Sequence, residues 1–445
     1  MPLLVRRLFF YFLVALFIIA VPIIVGYTAG YRYSFKQKKF VKTGLMIIES
    51  TPKGAKIFLN DRSRKERTPA YILNLTPSSY EIALERDGYH SWGKTLEVES
   101  EKTTFAIDIL LLKNTQPQIL AEANLADFYA MDHDDTVFTL ESSDTLYELK
   151  QLHPSLNTAS LLWRGALNSA PTIEQFQNRP RRLLIKSADY SLAAIEDEET
   201  RVTGVTLPTA AKNTDKPAVD KIKFRPDGRL LLLSQKTLWS SDLISDNVNK
   251  ISEAVEDFDL VGHKILTISL QGGVYKLATL PDDPANIAVE LSVGDYRFLA
   301  INGSFVVLRE LKAGKILLID LAKQAIVAEL EGTNAVWQRG EKSTLFTFSP
   351  HEVWQYDPQK NEAKLIIRLL EEIREVTPLP QGSVILLTLK NKMQAIELDL
   401  RDKQNTWDLA NFENIKKTVL STDGKQLLIL GARENKTGLW KLDLQ

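Results

Sequence analysis

The chain has 445 residues, 44% of them hydrophobic and 25% charged, with a formal net charge of -1. That length suits two or three globular domains, and the charge balance excludes a dedicated nucleic-acid binder, which shows a basic excess on its folded part. Cys is absent, so disulfides, thiolate metal sites and Cys nucleophiles are excluded as well.

After a short tail, residues 1–7, the stretch 8–31 (LFFYFLVALFIIAVPIIVGYTAGY) carries no charged side chain. A helix rises about 1.5 Å per residue, so roughly 20 residues cross the hydrocarbon core. The stretch exceeds the about 7–15 residues of a secretory h-region, and no A-x-A cleavage pattern follows it. It predicts an uncleaved transmembrane helix whose partner is the lipid bilayer. Pro22 lies inside it, which lipid-embedded helices tolerate. Phe9, Phe10 and Tyr11 at one end, and Tyr27, Tyr31 and Tyr33 at the other, suit the aromatic belts of a membrane.

A basic stem, 32–43, follows with Arg32, Lys36, Lys38, Lys39 and Lys42, against Arg6 and Arg7 ahead of the span. Counting flanking charge puts the large C-terminal part in the cytoplasm, yet long domains translocate largely regardless of that charge. The stem also suits anionic lipid headgroups.

Residues 44–113 alternate with period two, as in Lys56-Ile57-Phe58-Leu59 and Tyr80-Glu81-Ile82-Ala83-Leu84-Glu85. Alternation of this kind reads as half-buried antiparallel strands. Pro52, Gly54, Asn60-Asp61, Pro69, Pro77 and Asp87-Gly88 punctuate it. The pattern predicts a small β-sandwich. Asp61 to Arg67 form a charged tip, read either as a site for an anionic polymer or as a solvated hairpin loop.

Ser50, Pro52, Gly54 and Ala55, then Thr68 and Pro69, Leu73 and Leu75, Pro77, and Gly88 and Tyr89 resemble the signature of the PEGA domain family. Where that family has Pro-Gly, this chain has Pro77-Ser78, so the turn must be built without Gly's freedom at positive φ. The resemblance implies a non-catalytic β-sandwich of bacterial cell-envelope proteins.

From 117 to 445 one unit recurs: an apolar strand, a polar turn, and a second strand that often carries Trp or Tyr. The apolar strand falls at 136–140, 182–185, 230–233, 265–268, 305–308, 345–348, 384–387 and 426–429. The aromatic of the following strand is Tyr147, Trp239, Tyr275, Trp354 or Trp440, and the unit near Leu192 is the weakest. A period of about 40 residues with several strands per unit signals the blades of a β-propeller. Eight blades are expected, or seven if two weak units merge. The aromatics are expected to fill spaces between blades. Phe224-Arg225-Pro226-Asp227-Gly228 and Leu420-Ser421-Thr422-Asp423-Gly424 resemble the Asp-Gly turns of TolB-like and WD-repeat-like propellers. The last unit lacks an outer strand, and the spare strand at 117–122 is expected to supply it, removing an open sheet edge.

No catalytic, cofactor-binding or metal-ligating residue stands out, and no cofactor is implied. The sequence has no H-E-x-x-H, no G-x-S-x-G, no phosphate-binding Gly loop and no EF-hand spacing. His90, His133, His153, His263 and His351 are isolated, and Asp132-His133-Asp134-Asp135 is the richest polar cluster.

The fold class expected is therefore all-β apart from one N-terminal transmembrane helix. A PEGA-like sandwich at 44–113 precedes a propeller at 117–445. The expected role is a single-span cell-envelope protein, extracytoplasmic by its resemblances, that binds an unknown protein or glycan at the propeller face without catalysis. A cytoplasmic orientation is the alternative for location. For function it is a propeller hydrolase, which needs paired carboxylates about 5–10 Å apart in the channel.

Overall fold

The structure is a computed structural model. It describes residues 3–34, 39–131, 136–143, 146–153, 158–167, 169–177, 181–187, 190–196, 199–205, 219–242, 247–280, 288–340 and 343–445. The chain divides into two compact units. One comprises residues 1–115 with 396–407 and 445; the other comprises 116–395 with 408–444.

The first unit opens with α1, Leu3–Thr28. From Arg6 to Thr28 it is long and apolar enough to cross a membrane, and none of that surface is buried against protein. The helix starts and stops earlier than the uncharged stretch 8–31. It stops because Gly30 turns at φ +84°, a conformation glycine adopts without a side-chain clash. Arg32 then folds back. Its Nη1 donates to the Tyr27 carbonyl at 2.8 Å, and its guanidinium stacks 3.5 Å from the Tyr27 ring centroid. A cation at the carbonyl end of a helix is favourable. Tyr31 thus belongs to a strand, and the stem is a hairpin of β1, Tyr31–Ser34, and β2, Lys39–Lys42.

The sandwich follows directly. Its strands are β3 (Gly44–Thr51), β4 (Lys56–Leu59), β5 (Arg62–Arg67), β6 (Ala70–Leu75), β7 (Ser78–Glu85), β8 (Trp92–Val98) and β9 (Thr103–Leu110). One sheet has the order β6-β3-β9, the other β5-β4-β7-β8. Met46, Ile48, Ile57, Ile72, Ile82 and Trp92 are buried in this unit, each such side chain contributing about 1.5–3 kcal/mol.

The signature residues form one hydrogen-bonded knot. Ser50 Oγ lies 2.7 Å from Thr68 Oγ1, which accepts from Ala55 N at 3.0 Å. Gly54 N donates to Thr68 O, and Thr68 N donates to Ala55 O. Thr51-Pro52 and Thr68-Pro69 are both cis. The turn that lacks Gly is built from other parts: Asn74 takes the positive φ, and Tyr80 OH donates to Thr76 O at 2.9 Å. The charged tip is not a loop. Only Asn60 and Asp61 turn, at φ +49° and +62°, while Arg62–Arg67 is an exposed edge strand. Charge along an edge discourages pairing with another chain.

Residues 118–443 form eight four-stranded antiparallel sheets among the described residues. Each expected apolar strand is the second strand of its sheet, buried on both faces; Leu230, Leu231, Leu232 and Leu233 are at most 2% exposed. Cores lie between neighbouring sheets. Leu266, Ile268 and Leu277 of one, for example, pack with Tyr296, Val306 and Leu308 of the next. The aromatics Tyr147, Trp239 and Tyr275 join such clusters. The strand Gln118–Glu122 pairs with Lys436–Asp443, completing the sheet that also holds Asn414–Leu420 and Gln426–Arg433. Leu125, Phe128 and Val137 of the following sheet then pack on Leu430 and Leu439.

Candidate functional site

Three features of the structure carry polar or unpartnered side chains worth building up. The first is a ring of staples on the first strands of the propeller sheets. In six of them the register skips a residue, between Leu125 and Asp127, Ile173 and Gln175, Val255 and Asp257, Phe298 and Ala300, Ile373 and Glu375, and Ile415 and Lys417, and in all but the one after Phe298 a polar residue follows the skip. A bulge re-aims the side chain beside it, and here each re-aimed polar group reaches the next sheet. Asp127 Oδ2 accepts from Ile173 N at 2.6 Å, and Gln175 Oε1 from Phe224 N at 2.8 Å. Asp257 Oδ2 accepts from Phe298 N at 2.9 Å, and Glu375 Oε2 from Thr418 Oγ1 at 2.7 Å. Lys417 Nζ closes the series on Asp127 Oδ1 at 2.8 Å. Lys221 supplies the same cation to Asp257 at 2.8 Å, and Lys223 to Asp259 at 2.6 Å. Burial pushes the Glu375 carboxyl up, against the opposing pull of Thr418 and Lys417. Asp127 and Asp257 are each held by two backbone N–H groups and a lysine. Their geometry is that of a structural acceptor.

The second feature sits in the first unit, to which residues 396–407 belong. Lys94 on β8 is in phase with Trp92, Leu96 and Val98 and is fully buried. Its Nζ donates to Glu397 Oε2 at 2.9 Å and to Asp399 O at 2.7 Å, and lies 3.6 Å from Asp399 Oδ2. Glu397 also accepts from Trp92 Nε1 at 2.7 Å and Asn405 Nδ2 at 2.8 Å. Arg401 grips Asp399 and donates to Phe105 O at 2.8 Å. Burial alone would raise the Asp399 carboxyl, but the Arg401 contacts and Lys94 outweigh it and hold it low. The ammonium is held by two hydrogen bonds and a further carboxylate nearby, the pattern of a group that fastens a segment. Sequence reasoning missed it. The signal was there: a lysine on the core-facing phase of an alternating strand.

The third feature is the outer face of the β6-β3-β9 sheet. Ile47 pairs with Tyr71 on one side and Phe105 on the other. Tyr71 is 64% exposed, Leu73 61%, Phe105 48% and Ile107 40%. A contiguous exposed apolar patch marks an interaction surface.

Asp132-His133-Asp134-Asp135 lies outside the described residues. Among those described, no three His, Asp or Glu side chains are grouped to hold a metal ion. His153 is engaged with Thr136 and Gln151.

Residues 43–114 match the model of the PEGA domain. Comparison with curated protein sequences returns no match. Among solved structures, the C-terminal WD40 domain of Sif2 is similar with a TM-score of 0.52 at 11% identity, covering 74% of this chain and 98% of that one. Dihydro-heme d1 dehydrogenase NirN, in complex with DHE, gives 0.50 at 13%, covering 74% and 76%. Sqt1 of Saccharomyces cerevisiae gives 0.50 at 9%, covering 75% and 99%. At such identities the likeness concerns the fold alone. The chain therefore carries a PEGA domain followed by a β-propeller of WD40-like fold.

Proposed function

We propose that this is a single-span membrane protein that presents its PEGA domain and an eight-bladed propeller outside the cytoplasm, as a non-catalytic binding scaffold of the cell envelope. The observation that carries the reading is α1: an exposed apolar helix of membrane length that leads through a short stem into the PEGA domain. PEGA domains are often extracellular, which favours the outward orientation over the count of flanking charges. The eight sheets support eight blades. The row Tyr71, Ile47 and Phe105 is the surface we assign to a protein partner, and the propeller loops offer a second face for protein or glycan, since loops on a rigid scaffold make binding surfaces.

Two measurements test this. Alkaline carbonate washing should leave an N-terminally tagged chain in the membrane pellet, whereas a cleaved signal releases the large part. Protease added to intact cells should then digest the propeller. A propeller cut only after lysis overturns the orientation.

A further inference from the structure

The hairpin β1–β2 is an unusual object beside a membrane helix. A two-stranded sheet alone is marginal in water, and among the described residues this one pairs with no other strand. Its base is pinned to the sandwich. Lys42 Nζ meets Glu101 Oε1 at 2.6 Å, Ser100 Oγ donates to Lys42 O at 3.0 Å, and Arg32 Nη2 donates to Asn74 Oδ1 at 3.2 Å. Thr43 N donates to Gly30 O at 3.0 Å, tying the hairpin to the end of α1. Away from that base it shows aromatic rings to the exterior. Tyr33 faces Phe40 across the strands, edge to face, with centroids 5.4 Å apart. Phe40 is 70% exposed and Tyr33 43%. Tyr31 and Lys42 continue the same face, with Lys42 Nζ 5.7 Å from the Tyr31 ring. Lys39 is exposed at the start of β2.

Tyrosine rings with a polar edge and an apolar phenylalanine, interleaved with cations, have one environment that satisfies them all: the headgroup layer of an anionic bilayer. The hairpin stands at the end of the helix that would place it there. The geometry points to β1–β2 as an interfacial foot, with Tyr33 and Phe40 set among anionic lipid headgroups and Lys39 among their phosphates. This inference rests on the membrane-anchor reading and adds to it a lipid preference and a fixed standing height for the PEGA domain.

The absence of Cys makes the test clean, because one introduced thiol is the sole label site in the full chain. Spin labels go on Phe40→Cys, on Tyr33→Cys as a second hairpin position, on Val14→Cys within α1, and on Ser63→Cys on the exposed edge strand. Each protein is placed in nanodiscs of phosphatidylcholine, with or without phosphatidylglycerol. Collision with a water-soluble nickel chelate is compared with collision with oxygen. The Val14 label should be oxygen-accessible and shielded from nickel in both lipids. The hairpin labels should be shielded several-fold relative to Ser63, more so with phosphatidylglycerol, and Lys39→Glu should erase that lipid-dependent gain. Hairpin labels as open to nickel as Ser63, beside a lipid-buried Val14 label, overturn the foot and leave the anchor standing. An aqueous Val14 label overturns both.

Discussion

Lys417 and Asp127 are 290 residues apart in sequence and 2.8 Å apart in space. Their pairing joins the first strand of the last propeller sheet to the first strand of the first. Asp127 is almost wholly buried and also receives Phe128 N and Ile173 N, so it links three successive sheets. Replacing it by Leu takes an acceptor from Phe128 N and Ile173 N and leaves Lys417 Nζ only the Phe128 carbonyl, and should cost about 1–3 kcal/mol. Lys417→Met should cost less, because about a third of the lysine is in solvent. A double-mutant cycle read by denaturant midpoints should give a coupling of about 0.5–3 kcal/mol; strict additivity would show the two groups to be energetically independent.

The knot in the PEGA domain makes a sharper forecast. Thr68→Val keeps the shape but removes the hydroxyl shared by Ser50 and Ala55 N. Thr68 is 3% exposed, so no water replaces it. A loss of about 1–3 kcal/mol is expected. Amide exchange at Ala55 should accelerate in the variant, and unchanged exchange would place the acceptor of that N–H elsewhere.

Breaking the buried pair Lys94–Glu397 from one side should be worse than removing both charges. Lys94→Met leaves an uncompensated buried carboxylate, and about 3–5 kcal/mol is the usual penalty. Lys94→Met with Glu397→Gln retains an acceptor for Trp92 Nε1 and should recover part of it. A double variant as unstable as the single one would mean that the ammonium is needed for more than charge balance.

Acidification should loosen the first unit through His90. Burial pushes its imidazole below the usual value of 6.5, so the folded state binds a proton less readily than the unfolded one. Its contribution is therefore full above pH 6.5 and falls as pH drops from there toward the lowered folded value. Thermal melts should show the midpoint falling in that window, and His90→Gln should flatten the slope. Carboxylates held low by their partners, such as Glu310, whose burial is outweighed by the N–H groups of Ala313, Asp295 and Lys312, act at more acidic pH.

The second strand of every propeller sheet was legible because both its faces are covered, which writes an unbroken apolar run such as Leu230–Ser234. The first strands were not, because their message is a single bulge and one polar residue, as in Leu125-Ala126-Asp127-Phe128. That short pattern returns as Ile173-Glu174-Gln175-Phe176 and Val255-Glu256-Asp257-Phe258, but its meaning is a contact with another sheet, which periodicity does not encode. The PEGA signature was readable as a list of residues, while the reason for it, the Ser50–Thr68–Ala55 hydrogen bonds, appears only when distant strands meet. The stem was read for its charge alone. Its hairpin depends on Gly30 ending the helix and on pairing across residues with weak alternation.

The sheet that unites Gln118–Glu122 with Lys436–Asp443 also sets a schedule for biosynthesis. One of its strands is among the first of the propeller to leave the ribosome, and its partner is the last. Until translation reaches that partner, the early strand has nothing to lie against and the growing stack of sheets has two raw ends. The stack cannot close before that partner emerges, and until then its open edges are available to strands of neighbouring chains.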